Sequence, residues 1–258
     1  MAVAALLLAT AGCGGPESDP DPDREDWVRL FDGRSLSGWN GDRDLVDVDD
    51  GLLRFLPGTP ADGIAPDPGR FLAHDGEWSF YRLRLEYRFP ETDLDPASWP
   101  ERDVRRASVW VHSTEGANGE NVGMEVELLG GDGENDRPTG NACTPGTQMD
   151  MSGRAVGREC VSSASETHHG DEWVTLEVTV LGAERVEHRV DGVRVLAYER
   201  PRMDDGTLLA GGGIAIRSGG WPFDIRRIDL LPLRGCTDPQ AVNRKSYYVS
   251  SDPRACLD

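Results

Sequence analysis

From Tyr81 to Phe89 the sequence YRLRLEYRF sets Tyr81, Leu83, Leu85, Tyr87 and Phe89 on one side of an extended chain, and Arg82, Arg84, Glu86 and Arg88 on the other. Successive side chains of a strand point to opposite faces, so this period of two predicts a half-buried antiparallel strand. The same alternation recurs at Ala107–Thr114 (ASVWVHST), Gly123–Gly130 (GMEVELLG), Trp173–Gly182 (WVTLEVTVLG), Gly213–Ser218 (GIAIRS) and Ile225–Leu233 (IRRIDLLPL). Asp49-Asp50-Gly51 and Asp191-Gly192 stand between apolar runs, and a DG pair supplies the positive φ angles of a tight hairpin. Roughly ten to twelve strands without a convincing amphipathic helix predict an all-β fold, a sandwich of two antiparallel sheets. The segment from Gly131 to Asp171 breaks the pattern. It is polar and glycine-rich and reads as a long loop tied by a cysteine pair, a kind of segment that is usually functional or disordered.

With 258 residues, 38% of them hydrophobic, the chain can bury one core and is short enough to do so as a single domain. Its 46 acids against 27 bases give a formal net charge of -19, which argues against nucleic acid and against charge-driven docking on anionic lipid. Lys245 is the one lysine, so Schiff-base chemistry is disfavoured and no phosphate-binding GK[ST] loop exists. No apolar run reaches the ~18 residues of a membrane-spanning helix.

Residues 1–13 predict a lipoprotein signal peptide. MAVAALLLATAG is a short apolar stretch ending in small residues, and Thr10-Ala11-Gly12-Cys13 looks like a bacterial lipobox in which Cys13 is lipidated. No Lys or Arg precedes the apolar run and Thr10 stands where leucine is usual, so a buried N-terminal segment is the alternative. Residues 14–26, acidic and proline-rich, are expected to form a disordered linker. The expected location is the periplasm or cell surface, with the membrane reached through the lipid anchor alone. Four further cysteines fit an oxidising compartment, and their spacing suggests Cys143–Cys160 and Cys236–Cys256 disulfides. A four-cysteine zinc site is the competing reading, and it lacks any CxxC pair.

Several residues could carry chemistry. Glu125 and Glu127 lie two apart on one strand, so both carboxylates leave one face while Met124, Val126 and Leu128 fill the other. Two acids so close raise each other's proton affinity, which suits one of them to general acid–base work; a solvated strand face is the alternative. On the preceding strand, strict alternation puts His112 beside Trp110, opposite Val109 and Val111. An imidazole and an indole there could floor a sugar cleft, whereas a hydrogen-bonded structural histidine is the plainer reading. His168-His169 belong to a turn, and His188 stands just before the Asp191-Gly192 hairpin. No HExxH-type spacing marks a metal site, and no cofactor is expected, with a divalent ion left open.

A resemblance adds what spacing cannot. Trp27–Trp39 (WVRLFDGRSLSGW) closely resembles the LFNGKDLSGW opening of the 3-keto-disaccharide hydrolase domain family. Tyr81–Phe89 is similar to its FELRLEYRF strand, Ser108–His112 (SVWVH) to its GVFVH strand, and Met124–Leu128 (MEVEL) to its IEVQL strand, which puts Glu125 on the family glutamate. Glu187–Val193 (EHRVDGV) resembles its THWLNGV hairpin, putting His188 on the family histidine, and Ile225–Leu233 its closing FRNIRIRPL strand. The family implies a concanavalin A-like jelly roll over residues 27–234. It also implies cleavage of 3-keto-glycosides or 3-keto-disaccharides: the ketone acidifies the C2 hydrogen, a base removes it, the C1 substituent leaves, and water adds back.

On this resemblance Glu125, His112 and His188 are the catalytic candidates, with Glu127, Trp110, Arg217 and Trp221 as substrate contacts. Arg217 could also steady the oxyanion. Arg217 and Glu127 replace family glutamines and Trp221 replaces a family histidine. Two other readings therefore stay open: a non-catalytic carbohydrate-binding lipoprotein with Trp110 and Trp221 as stacking platforms, and a structural or adhesion module. Residues 235–258 (GCTDPQAVNRKSYYVSSDPRACLD) form a separate module that resembles an extracellular GCTDPxAxNY…C motif, with Arg244 in place of the first tyrosine. Too small for a core of its own, it would be stapled by Cys236–Cys256.

Overall fold

A computed structural model describes residues 24–58, 71–98, 104–115 and 121–257. The signal peptide, Cys13 and most of the expected linker lie outside the described residues. In chain order the strands are β1 (Val28–Arg29), β2 (Trp39–Gly41), β3 (Val46–Asp49), β4 (Leu52–Phe55), β5 (Phe71–His74), β6 (Phe80–Arg88), β7 (Arg106–Glu115), β8 (Asn121–Leu129) and β9 (Asn141–Cys143). There follow β10 (Thr147–Met151), β11 (Arg154–Gly157), β12 (Cys160–Val161), β13 (Val174–Leu181), β14 (Arg185–Val190), β15 (Val193–Met203), β16 (Gly213–Ser218), β17 (Phe223–Pro232), β18 (Arg234–Gly235) and β19 (Ser250–Ser251). The described residues contain short 3-10 turns but no α-helix.

Two antiparallel sheets pack face to face. The larger runs β11-β10-β15-β14-β13-β6-β17-β4-β3, with β1 also on β17; the smaller runs β12-β9-β8-β7-β16-β5-β2. The period-two expectation holds in β6, β8, β13 and β14, whereas β17 shifts register between Ile225 and Arg227 and buries both Ile225 and Ile228. Tyr81, Leu83, Leu85 and Tyr87 of β6 face Val109, Val111, Met124, Val126 and Leu128 of β7 and β8 in one continuous core, all with at most 1% exposure. Burying each such side chain contributes about 1.5–3 kcal/mol. Both DG hairpins form as expected: Asp50 and Gly51 have φ of 50° and 78°, Asp191 and Gly192 of 48° and 81°. Both disulfides form as the spacing suggests.

The segment from Gly131 to Asp171 is more regular than its composition predicts. It supplies β9 and β12 to the smaller sheet and β10 and β11 to the larger, so it bridges the sandwich, and Cys143 and Cys160 are cross-strand partners within it. The C-terminal module is held by parallel pairing of β18 with β19 and by Cys236–Cys256.

One irregularity matters for the site. Between Val111 and Thr114, β7 carries one residue more than β8, and it shifts register against β16 as well. This is a β-bulge centred on His112, whose φ is 53°. Glycines face it on both sides: a Cβ on Gly123 would lie 3.0 Å from the Val111 carbonyl oxygen, and one on Gly212 would lie 2.7 Å from the His112 carbonyl carbon. Both contacts are with backbone, which cannot rotate aside. Gly212→Ala should therefore destabilise the protein by about 1–3 kcal/mol in urea unfolding, and an unchanged midpoint would show the bulge to be looser than described.

Candidate functional site

The outer face of the smaller sheet is where the strand pairing gathers charge. Register puts Arg217 of β16 beside Ser108 of β7, Ser108 beside Glu127 of β8, and Glu127 beside Asn141 of β9. One step along, Trp110, Glu125 and Cys143 form the next row. Arg106 heads β7 in the same outward phase. Arg106, Ala107, Ser108, Glu125, Arg217 and Gly219 line a narrow cleft whose interior has about 10 Å³ of room, the space of one water.

The two carboxylates are held unequally. Glu127 accepts from Asn141 Nδ2 at 3.1 Å and lies 3.0 Å from Arg106 Nη2. Glu125 lies 3.8 Å from the same Arg106 nitrogen and 3.9 Å from Arg217 Nη1. Both glutamates are buried. Burial raises the Glu125 carboxyl above the ordinary carboxylate range, against partial opposition from Arg106, the Ser108 hydroxyl and Arg217, and with a small push in the same direction from Glu127. Trp110 Nε1 donates to Ser108 Oγ at 3.0 Å, which orients the hydroxyl beside Glu125. The Arg217 guanidinium approaches Glu125 without a hydrogen bond among the described residues, and its Nε is buried without a partner.

Glu125, Glu127 and Arg217 thus come together on the expected face. Trp110 is there too, but it is 3% exposed and packed edge-on against Phe71 at 5.3 Å, so it offers no open ring to a sugar. Three other expectations are corrected. The bulge reverses the phase of β7, so His112 turns away from Trp110 and is fully buried, near the backbone of Gly211 and of Gly182 in the larger sheet's β13–β14 turn. His188 faces inward from β14, donates from Nδ1 to the Gly140 carbonyl at 2.8 Å and meets the Tyr198 ring edge-on. Trp221 is 1% exposed within the main core and is no stacking platform. Neither imidazole reaches the cleft.

Arg106, Ser108 and Asn141 were missed. The first two share the outward phase of Trp110 and could have been found by extending the alternation two and four residues back from it; Asn141 sits in the segment read as a loop, where nothing in the pattern marks it. Among the described residues the one grouping of metal-type ligand atoms is Glu127 with Cys143 and Cys160, whose sulfurs are bonded to each other and so offer no thiolate.

The sequence profile of a family described as the 3-keto-alpha-glucoside-1,2-lyase-like domain matches residues 26–231. Two crystal structures from Parabacteroides distasonis ATCC 8503, each named as a candidate glycosyl hydrolase, share the fold. One is 12% identical with a TM-score of 0.52, covering 80% of this chain and 93% of its own. The other is 13% identical with a TM-score of 0.51, covering 80% and 99%. None of the curated proteins matches the chain.

The buried imidazoles make acid a destabilising condition. Burial lowers both His112 and His188 to about 4, against an ordinary value of 6.5, with nearby backbone carbonyls opposing the shift only in part. Below pH 6.5 the unfolded chain takes up these protons while the folded one does not, so stability falls as pH drops from about 6.5 towards 4, by on the order of 3 kcal/mol per ring. Urea unfolding across that range should show the slope, and His188→Gln, whose amide can still donate to Gly140, should flatten it; an unaltered slope would contradict the assignment.

Proposed function

The chain belongs to the 3-keto-alpha-glucoside-1,2-lyase-like domain family, a carbohydrate-active family, and from that premise we propose that it cleaves 3-keto-glycosides by elimination, with Glu125 as the group that moves the proton. The observation that supports this most is the state of Glu125: a carboxyl at the mouth of a charged cleft, its proton affinity raised by burial, between two guanidinium groups. A base with raised proton affinity is a stronger base near neutral pH.

The ionised Glu125 carboxylate takes the hydrogen at C2, and the electron pair of that C–H bond moves into an enolate whose charge rests on the C3 oxygen. Arg217, which has unused donors at the cleft, would steady that oxygen. The enolate re-forms the ketone, the C1–C2 double bond forms, and the C1–O bond breaks. The leaving oxygen takes a proton from solvent water, and the Glu125 carboxyl then returns its proton to solvent. Addition of water across the new double bond would complete a net hydrolysis.

Export as a lipoprotein through Cys13 remains part of this proposal, supported by the lipobox-like sequence and by two disulfides of a kind that form in oxidising compartments. The alternative of a non-catalytic sugar binder drew on Trp110 and Trp221 as open rings, and both are buried.

Incubation with 3-keto-trehalose should release free glucose. Glu125→Gln should lower the rate by at least about 10²-fold while leaving the circular-dichroism spectrum unchanged. Retained turnover would remove Glu125 from the reaction, and no turnover by the wild type on any 3-keto-glycoside would overturn the function itself.

A further inference from the structure

One guanidinium serves both carboxylates. Arg106 Nη2 lies 3.0 Å from Glu127 Oε1 and 3.8 Å from Glu125 Oε1. Its backbone is fixed from two sides, by pairing with Leu129 of β8 and by the Gly219 amide, which donates to the Arg106 carbonyl at 3.2 Å. Gly219 can come this close because a Cβ there would sit 2.5 Å from that carbonyl oxygen. Around Glu125 the charged and polar groups are Arg106 and Ser108 from β7, Arg217 from β16 and Glu127 from its own strand; β9 contributes Cys143, which is tied in a disulfide. Around Glu127, among the described residues, they are Arg106 and Ser108 from β7, Asn141 from β9, Glu125 from its own strand and the disulfide sulfurs of Cys143 and Cys160.

We propose that Arg106 is a positioning residue: together with Asn141 it ties down the Glu127 carboxylate, and its more distant approach to Glu125 sets the pH range in which that group exchanges its proton. This rests on the elimination reading for its catalytic meaning, but the electrostatic claim stands apart from turnover. Arg106 is one of the attractions that hold the Glu125 proton affinity down, so its loss moves the titration of Glu125 to higher pH.

The experiment is a carbon-13 NMR titration of the glutamate carboxyls, with Glu125 assigned through Glu125→Gln, in the wild type, Arg106→Gln and Arg106→Lys. The midpoint of Glu125 should rise in Arg106→Gln and return towards the wild-type position in Arg106→Lys. Kinetically, Arg106→Gln should displace the acidic limb of kcat/KM to higher pH and lower kcat about tenfold or more with little change in KM. An unmoved midpoint in Arg106→Gln, or a lysine that restores nothing, overturns the proposal. If the midpoints move as expected while no 3-keto-glycoside is turned over, the functional reading fails and the assignment of Arg106 survives.

The chain's one lysine is nearly buried, and at the far side of the molecule. Lys245 has 11% side-chain exposure, with Nζ 2.9 Å from Asp26 Oδ2 and donating to the Arg24 carbonyl at 3.4 Å. The Asp26 amide donates to the Tyr247 hydroxyl at 3.2 Å. Glu25 pairs with Arg82 at 3.4 Å, and the Arg84 guanidinium sits 4.0 Å above the Trp27 ring. Arg82 and Arg84 belong to the outer face of β6, so residues 24–27 lie across the larger sheet, opposite the Glu125 cleft. The last three residues of the expected linker are therefore docked.

We also infer that the C-terminal module is a clasp for this strap, fixing the place where the preceding chain leaves the domain on the side away from the cleft. Its grip is anchored by the Val249 and Ser250 amides, which donate to the Leu233 carbonyl at 2.8 and 3.2 Å, and by the Cys236–Cys256 staple. Hydrogen exchange of the full chain, followed by mass spectrometry over residues 24–31, tests it. Lys245→Ala should speed exchange there about tenfold, and Asp26→Asn, which leaves the module untouched, should do the same in direction. Residues 233–250 should stay protected in Asp26→Asn. Unchanged exchange over 24–31 in both variants overturns the clasp.

Discussion

Two carboxylates placed side by side in the middle of a sheet must be answered by cations on neighbouring strands, and the arrangement of the cleft follows from that constraint. Glu125 and Glu127 cannot swing apart, because β8 is hydrogen-bonded to β7 on one side and β9 on the other. Taking such charges out of water costs several kcal/mol each unless partners compensate. Arg106 and Arg217 supply the compensation from β7 and β16, on the same side of β8, and Asn141 adds a donor from the other. The distribution is uneven. Glu127 has a close cation and an amide, while Glu125 has two cations near 4 Å, and for Glu125 the cost of burial outweighs the attraction. An uneven pair of carboxyls has one member free to trade protons.

The half of the molecule that obeys local periodicity was legible in the sequence. Alternation in β6, β8 and β13, and in β7 as far as Val111, fixes which side chains meet in the core, and that same alternation put Glu125 and Glu127 on one outward face. What alternation could not deliver was the direction of His112. One inserted residue inverts every later side chain of a strand, and the His112 bulge does this within a run, SVWVHST, that reads as unbroken. The signal for it lies elsewhere in the chain, in Gly123, Gly212 and Gly213, where the absence of side chains admits the displaced backbone. His188 followed the family pattern into a core position, and nothing in its neighbourhood of charged residues announces the Gly140 carbonyl that it meets.

The polar segment between Gly131 and Asp171 shows the opposite failure, in which composition hid structure. Its hydroxyl and amide side chains act as internal partners in place of apolar packing. Thr139 Oγ1 lies 2.6 Å from the Tyr87 hydroxyl, the Ser163 hydroxyl donates to the Thr139 carbonyl at 2.6 Å, and the Ser163 amide donates to Asn141 Oδ1 at 2.9 Å. Buried polar groups are tolerable when each finds a partner, so a stretch without hydrophobic periodicity can still lie flat against both sheets. Asn141 gains its place beside Glu127 through this network, which is why a residue from an apparently irregular stretch ends at the centre of the site.

The removal of both imidazoles from the cleft also constrains the chemistry. Glycosidases that hydrolyse directly set two carboxyls on either side of the scissile bond, about 5–10 Å apart. Here the two carboxyls share one strand face and one guanidinium, so they approach a sugar from the same side. Among the described residues lining the cleft, no acid faces Glu125 from across it. A single carboxyl working alone can still break a glycoside if the bond is weakened from within the sugar, because a C3 ketone lets the proton leave C2 before the C1 oxygen departs. In an α-glucoside the C2 hydrogen and the C1 oxygen point to opposite faces of the ring, so a base on one face would take the proton while the departing oxygen takes its own from water on the other. Elimination of this kind would ask for a base at C2 and a cation at the ketone, the roles proposed for Glu125 and Arg217, with water in place of a second acid.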